Sequence, residues 1–388
     1  MKKPAPPGTA IQLSGRDDES RWILSVIAKR SYAFRISGEC SLAEAQSPLV
    51  IEPIYDEATG SVLESDTDIW PFKLFTDVVV KGHAYNYPGR PSFSIGVRVE
   101  KTSKLVQVSG DRRATVGSTG QILFGAPTTL DRLPLSYAFA YGGRDAITEA
   151  EYGNPIEDLK SYLPEQTADK TISDASPFVC PKNPAGRGYV IEKTAAAVEA
   201  ALLPNLEHPG DLLTPERLIV GDTGRWPAQP VPTSLGWLDY GAFPRMAWLG
   251  VVPDYDRPID ARRMGELRLG YATADILEDK PTTEALSLHG TNGASLGLRL
   301  PYLKGGEEVE LLNLNPSFDL VRFRLPVESP ALWVDGRNGK VTPTTPVIHS
   351  VVIEPDLYKV TITWRGSAPA LRPYGADEIA KMPFLAEW

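Results

Sequence analysis

The sequence predicts a mainly β protein: two packed antiparallel, sandwich-like units with a long irregular insertion and few short helices. The first observation is composition, because 35 prolines and 33 glycines among 388 residues favour many short strands joined by turns over long helices. The second is alternation. Residues 93–99 and 358–365 place apolar and polar side chains in turn, which is the period of a strand with one buried face.

Changes in the residue pattern along the chain divide it into four predicted parts. Residues 1–20 read as a flexible leader, and residues 21–143 as an N-terminal β unit. Residues 144–234 are expected to form an irregular, loop-rich excursion, in which residues 194–203 have the composition of a short helix. Residues 235–388 form a C-terminal β unit with a short terminal tail. Whether the two β units make one domain or two stays open.

The N-terminal unit is predicted to contain an antiparallel hairpin. Residues 93–99 and 105–109 are its strands, separated by a short polar turn. Residues 78–85 form a further β-branched and aromatic run, which a proline-rich turn connects to the hairpin. We therefore expect a three-stranded antiparallel unit. Residues 21–34 carry apolar side chains at both odd and even positions, which predicts an opening strand buried on both faces.

The C-terminal unit contains the clearest strand in the chain. Residues 358–364 alternate without error and are expected to pair with residues 347–353. Trp364 lies on the apolar side of that alternation, so we expect it to be buried. Residues 332–341 contain Asp-Gly and Asn-Gly pairs typical of a hairpin, and residues 266–270 are a short strand candidate.

Composition excludes several classes of function. A formal net charge of −9 disfavours a nucleic-acid partner, which needs clustered lysines and arginines. Two cysteines indicate neither a disulfide framework nor a cysteine zinc site. No window approaches the length of an apolar membrane span, and the opening MKKPAPPGTA lacks the apolar core of a secretory signal. We expect a cytoplasmic protein without a membrane or nucleic-acid partner.

Short motifs recur in a fixed order along the chain. They are WPFK at 70–73, TDV at 76–78, KGHA at 81–84, VSGDR at 108–112, PLSY at 134–137, GG at 142–143, NPAGRGY at 183–189 and LLPNLEHP at 202–209. Their order resembles a bacterial family first catalogued as a domain of unknown function, whose members are associated with type VI secretion as adaptors for toxic effectors. The resemblance extends over residues 21–366, and ordered recurrence is more specific than any single motif.

The resemblance implies a noncatalytic adaptor or chaperone. Such a protein binds a toxic effector in the cytoplasm and loads it onto the spike or tip protein of the secretion system. Its partners are then the effector and the spike or tip protein, and it needs no cofactor. Two alternatives stay open beside it: a β-sandwich enzyme acting on polysaccharides, and a carbohydrate-binding module that presents the aromatic residues of segment 237–248.

Eight residues are candidates for partner binding or loop shaping. Residues 186–188 form a Gly-x-Gly whose N–H groups could converge on an anion, but without a strand before and a helix after it a structural turn is favoured. Asp111 stands beside arginines after a strand, a position from which charge-assisted hydrogen bonds brace a loop. The candidates are Asp111, Arg112, Asn183, Pro184, Gly186, Arg187, Gly188 and Asn205.

No catalytic constellation is evident, so we expect no enzymatic activity. The four histidines show no metal-binding spacing, and the sequence lacks a Gly-x-Ser-x-Gly nucleophile motif. His83 follows Asp77 in a predicted strand, where a hydrogen-bonded structural histidine is favoured over a catalytic one. Asp66 and Asp68 are close in sequence, and we interpret them as solvated turn residues because glycosidase carboxylates must face each other across a cleft.

Overall fold

A computed structural model describes residues 8–16, 22–36, 38–70, 73, 75–152, 178–221, 228–242, 245, 291–335 and 341–388. The strand predicted at 266–270 lies outside these residues. Short strands dominate the described part of the chain, which confirms a mainly β protein. This follows from the sequence, because prolines and glycines interrupt the apolar runs before a helix can form.

The strands follow each other along the whole described chain. They are β1 (Thr9–Arg16), β2 (Trp22–Ala33), β3 (Gly38–Glu39), β4 (Ser41–Leu42), β5 (Ile54–Tyr55), β6 (Leu63–Ser65), β7 (Thr76–Val80), β8 (His83–Tyr85), β9 (Ser92–Val99), β10 (Thr102–Ser109), β11 (Ala114–Val116), β12 (Ile122–Phe124), β13 (Arg132–Pro134), β14 (Tyr141–Gly142), β15 (Arg187–Gly188), β16 (Leu206–Glu207), β17 (Arg299–Leu300), β18 (Glu308–Leu312), β19 (Leu320–Arg324), β20 (Ala331–Asp335), β21 (Val341–Pro343), β22 (Val347–Glu354), β23 (Lys359–Pro369) and β24 (Phe384–Glu387). The described α-helices are α1 (Ala146–Tyr152), α2 (Ala195–Ala200) and α3 (Ala376–Ile379).

Two large sheets organise the fold. Sheet A has the order β1-β2-β23-β22-β7-β17, with β4 beside β2, and sheet B has the order β16-β10-β9-β18-β19-β3. Both contribute to one hydrophobic core, which includes Val78 and Ile362 from sheet A and Ile95 and Phe323 from sheet B. Phe34, just after β2, stacks on Phe323 with ring centroids 4.2 Å apart. The two sheets therefore share one buried interior.

The strands of the three predicted hairpins pair as expected. β9 and β10 pair antiparallel with Val99 opposite Thr102, and β22 pairs antiparallel with β23. β20 and β21 also pair antiparallel on either side of residues 336–340, which lie outside the described residues. Trp364 on β23 is 1% exposed, so its predicted burial is confirmed.

Strand pairing nevertheless crosses between the two halves of the chain. β2 from the first half pairs with β23 from the second, and β9 pairs with β18. The predicted three-stranded unit is wrong, because β7 pairs in parallel with β22 in sheet A while the hairpin lies in sheet B. All five residues of β7 are buried, so a hydrophobic run that suits a central strand joins the sheet where both of its faces are covered.

Two further segments differ from the simple division. Thr9–Arg16, within the predicted flexible leader, forms β1 and pairs with β2. The described part of the excursion is irregular, and it contains a second hydrophobic cluster that includes Val190, Val198 and Leu218. Tyr141, immediately before the excursion, packs into the same cluster. The described part of the excursion is thus a packed layer attached to the β scaffold.

Candidate partner-binding site

The glycine pair Gly142 and Gly143 lies against the segment 183–189. β14 and β15 pair in parallel, which sets Gly142 opposite Gly188. The Gly143 N–H donates to the Asn183 carbonyl at 2.8 Å. Two motifs that are forty residues apart in the sequence therefore form one local structure.

Both positions in this pair require glycine. Gly142 has φ of +141° and Gly143 has φ of +91°, a region that other residues rarely adopt. A Cβ on Gly142 would collide with the Asn183 carbonyl oxygen, and one on Gly143 with the Gly186 carbonyl oxygen. Close approach of two backbones is therefore the reason for the glycines in both motifs.

Asn183 fixes this approach from inside. Its side chain is fully buried, and Nδ2 donates to the carbonyls of Tyr137 at 2.8 Å and Tyr141 at 3.0 Å. Pro184 follows at a half-buried position near Gly241. A buried amide that bonds two carbonyls shapes the loop, since its donors are used within the protein.

Arg187 connects the loop to sheet B. Its Nε donates to the Ala138 carbonyl at 3.0 Å, and an Nη donates to Asn205 Oδ1 at 2.8 Å. Its guanidinium lies 4.4 Å from the centroid of the Phe139 ring and 3.8 Å from a carboxylate oxygen of Asp111. Burial lowers the pKa of Arg187, against the opposing effect of Asp111. The planar guanidinium thus joins three segments at once.

Asn205 is the second buried amide of this network. Its Nδ2 donates to the Ser109 carbonyl and to Asp111 Oδ1, both at 3.0 Å. Its backbone N–H donates to the Phe139 carbonyl at 2.8 Å. Asn205 therefore holds the start of β16 against the end of β10.

Arg112 completes the network through an ion pair with Glu207 on β16 and a bond of 3.2 Å to the Pro204 carbonyl. Glu207 also accepts a hydrogen bond of 2.8 Å from the Leu213 N–H. Burial raises the pKa of Glu207, with Arg112 opposing that shift. We call the connected candidates the brace: Asp111, Arg112, Asn183, Gly186, Arg187, Gly188 and Asn205. Their bonds are internal, so they shape the loops.

A buried ion cluster was missed by the sequence analysis. It comprises Asp66, Lys73, Asp77 and Arg245, with Lys73 Nζ 2.6 Å from Asp77 Oδ2 and Arg245 2.9 Å from Asp66 Oδ2. Asp66 is 4% exposed and also accepts from Trp70 Nε1 at 2.9 Å. The interpretation of Asp66 as a solvated turn residue is therefore wrong.

Asp68 is also not a solvated turn residue. Its carboxylate lies 2.7 Å from Lys29 Nζ on β2 and accepts from Thr363 Oγ1 on β23 at 2.9 Å. Local spacing could not reveal these partners, because they come from strands far away in the sequence. One signal was available for Asp77, since a carboxylate within a strand buried on both faces requires a charged or N–H partner.

Asp77 is the most enclosed member of the ion cluster. Besides Lys73, it accepts hydrogen bonds from Asn292 Nδ2 at 2.9 Å and from the N–H groups of Gly293 at 3.0 Å and Ala294 at 3.1 Å. Burial alone would raise the pKa of Asp77, but Lys73 and Arg299 outweigh it and hold that pKa below its ordinary value. The cluster therefore anchors segment 291–294 to β7.

A cleft of about 450 Å³ has lining residues near both the ion cluster and the brace. Residues 134–139, the β5–β6 hairpin, Gly82 and Trp237 line it. Lys73 Nζ lies 5.1 Å from the Trp237 ring centroid, and Arg187 contacts the Phe139 ring from the brace. Each polar network therefore contacts an aromatic residue that lines this cleft.

The aromatic residues considered for carbohydrate binding are not presented to solvent where they are described. Trp237 is 5% exposed, and Tyr240 is buried with its hydroxyl on Asp66. Phe243 and Trp248 lie outside the described residues. Trp237 and Tyr240 instead pack into the core, as large apolar side chains among glycines and prolines usually do.

His83 has the structural partner expected of it. Its Nδ1 lies 2.7 Å from Asp356 Oδ2, and the same carboxylate accepts from the Tyr85 hydroxyl at 3.0 Å. The described residues contain no group of three histidine, cysteine or carboxylate side chains placed to hold a metal ion. In the same part of the chain, no helix has the length and apolar composition needed to cross a membrane.

The fold and this site define a class: a mainly β protein whose ordered motifs brace an irregular layer against two mixed sheets. The chain belongs to the family DUF2169, described as an uncharacterized protein conserved in bacteria, which it matches over residues 19–365. No curated protein and no solved structure gives a significant match.

Proposed function

We propose that this protein is a noncatalytic adaptor that binds a toxic effector in the cytoplasm and loads it onto the spike or tip of a type VI secretion system. The proposal begins from the ordered motifs and their resemblance to effector adaptors. The observation that supports it best is that those motif residues form the brace. The brace holds the excursion on the β scaffold, leaving the loops in a fixed arrangement suited to recognition.

The excursion and its adjoining loops are the proposed effector-binding region. Leu202 and Leu212 project from it with more than a third of their surface exposed, and Tyr152 at the end of α1 is more exposed still. Large apolar side chains on a rigid layer are typical anchors for a protein partner. The cleft beside residues 134–139 adds a concave surface to the same region.

Deleting the gene tests the proposal in the native host. Delivery of one cognate toxin should stop while secretion of the tube protein continues, because an adaptor serves its cargo and not the machine. Loss of tube secretion would instead make the protein a component of the apparatus. Unchanged delivery of every toxin would refute the adaptor function.

A pair of surface variants sharpens this test. Leu212→Glu changes an exposed residue of the excursion, and Leu371→Glu changes an exposed residue after β23. We expect Leu212→Glu to weaken co-purification of the toxin and Leu371→Glu to leave it unchanged, with equal melting temperatures. Equal loss in both variants would argue against the excursion as the binding region.

A further inference from the structure

A groove of about 560 Å³ runs beside β10, on the side of sheet B where β16 is attached. Ser103 and Leu105 of β10 form one wall, with Leu105 52% exposed. The rest of the lining comes from residues 296–297 and from the excursion, through His208, Pro209, Asp211 and residues 231–233. The groove therefore lies where a sheet edge meets the proposed binding region.

The outward backbone groups of β10 point into this groove. The Ser109 N–H donates to the Asn205 carbonyl at 2.8 Å, so Ser109 directs its backbone groups away from β9. Because these groups alternate along an antiparallel strand, Gln107, Leu105 and Ser103 direct theirs to the same side. Gln107 meets β16 there, and Leu105 and Ser103 lie further along the same edge.

β16 cannot continue along this edge. It pairs with β10 through residues 206–207, and the next position opposite Leu105 in that register is Pro209, which has no N–H to donate. The chain then turns, with the Asp211 N–H bonded to the His208 carbonyl at 2.9 Å. Within the described chain, the outward groups of Ser103 and Leu105 have no strand beside them.

Lys104 adds a charge to the same place. Its side chain is 8% exposed, lines the groove, and donates from Nζ to the Leu296 carbonyl at 2.6 Å. No carboxylate of the described residues acts on Lys104, and the neighbouring Arg299 is also cationic. The one carboxylate of the lining, Asp211, is already engaged by Arg217 at 2.6 Å and by the Val231 N–H at 2.9 Å. The groove therefore favours an anionic group near Lys104.

We propose that the groove takes an extended segment of a partner protein, which adds to β10 beside Ser103 and Leu105 as a further strand and sets an acidic side chain opposite Lys104. Backbone hydrogen bonds supply the attachment in this mode, and alternate side chains supply the selectivity. The inference rests on the proposed function only for the identity of the partner, the effector.

The two faces of the added strand follow from β10 itself. Lys104 points to the same face as Val106 and Val108, and a cross-strand carboxylate there would form a charge pair. Leu105 points to the opposite face, so the residues on either side of the acid should be apolar. The segment is thus an Asp or Glu between two apolar residues, in a stretch without proline.

A displayed library of random ten-residue peptides tests this on the full-length protein. Enriched peptides should carry an acid between apolar residues. Leu105→Pro removes the outward N–H, a change tolerated where an edge strand does not use that donor, and Leu105→Val retains it. We expect Leu105→Pro to weaken peptide binding at least about tenfold and Leu105→Val to leave it near the wild-type value. Lys104→Met should abolish the preference for Glu over Gln in the peptide.

Several outcomes would overturn the proposal. The first is a library in which no peptides with an acid between apolar residues are enriched. The second is equal peptide binding by wild type and by a Leu105→Pro variant with the same melting temperature. The third is unchanged binding when the acidic residue of the peptide is replaced by its amide. A concentration-dependent dimer that Leu105→Pro abolishes would assign the edge to a second copy of this chain. Toxin delivery that survives in Leu105→Pro would leave the adaptor function standing and remove this groove from it.

Discussion

Asp77→Asn should be among the most destabilising conservative changes in the described chain. Asp77 is fully buried; Oδ2 accepts from Lys73 Nζ and the Gly293 N–H, and Oδ1 from Asn292 Nδ2 and the Ala294 N–H. Whichever of the two oxygens is replaced by the amide NH2 group of asparagine, the two donors that bonded that oxygen then face another donor. The variant also leaves the Lys73 ammonium without its closest counter-charge.

The magnitude follows from that geometry. Breaking a buried ion pair by removing one partner costs about 3–5 kcal/mol, because the remaining charge stays desolvated. The ion cluster has two carboxylates and two cations, so Asp77→Asn leaves one excess positive charge inside. Adding Lys73→Met restores the balance, and the double variant should cost less than the sum of the single variants by about 0.5–3 kcal/mol.

Urea unfolding followed by tryptophan fluorescence measures these differences, since Trp70 and Trp237 lie beside the ion cluster. The folded-state pKa of Asp77 lies below its ordinary value, so its stabilisation is complete above that ordinary value and is lost as the pH falls through the folded pKa. The gap between wild type and Asp77→Asn should therefore shrink in acid. An unchanged urea midpoint for Asp77→Asn, or strictly additive single variants, would refute this reasoning.

Three other changes test separate parts of the structure. Gly143→Ala should lower the melting temperature, because its Cβ meets the Gly186 carbonyl, while Gly120→Ala, also at positive φ but with nothing within 4 Å, should have a smaller effect. Trp364→Ala should cost about 3–5 kcal/mol in urea unfolding, and an unchanged midpoint would contradict its role in the core. Burial lowers the pKa of Lys182 to about 8, so above that pH the unfolded state binds more protons than the folded state. The free energy of unfolding of the wild type should therefore rise relative to that of Lys182→Met from pH 8 towards 10.5. Parallel pH profiles of the two proteins would exclude this shift in the pKa of Lys182.

The alternation of apolar and polar residues predicted the strands better than it predicted which strands pair with each other. The β9–β10 and β22–β23 hairpins followed from residues close in sequence, where the turn fixes the pairing. The position of β7 between β22 and β17 did not, because a run buried on both faces fits any central place in a sheet. Pairing between β2 and β23 depends on residues more than three hundred positions apart, which local patterns do not encode.

The candidate site was predictable in part. The motifs singled out Asp111, Arg187 and Asn205, which the structure brings into one network. The spacing of charged residues did not predict the buried environment of Asp66, because its partner Arg245 follows it by 179 residues. A carboxylate near a turn has the same local sequence whether water or a distant guanidinium surrounds it. The groove beside β10 was also out of reach, since it depends on where Pro209 falls in the register of β16.

The mixed origin of both sheets has a consequence for how the chain acquires its structure. Ile23 lies opposite Pro369 in sheet A, and Val99 lies opposite Val309 in sheet B. Contacts so distant in sequence close large loops, which slows folding, and during synthesis β2 and β9 emerge long before these partners. Their hydrogen-bonding edges stay open over that interval, when other chains could pair with them. Newly made protein should therefore be most prone to aggregation before β23 leaves the ribosome.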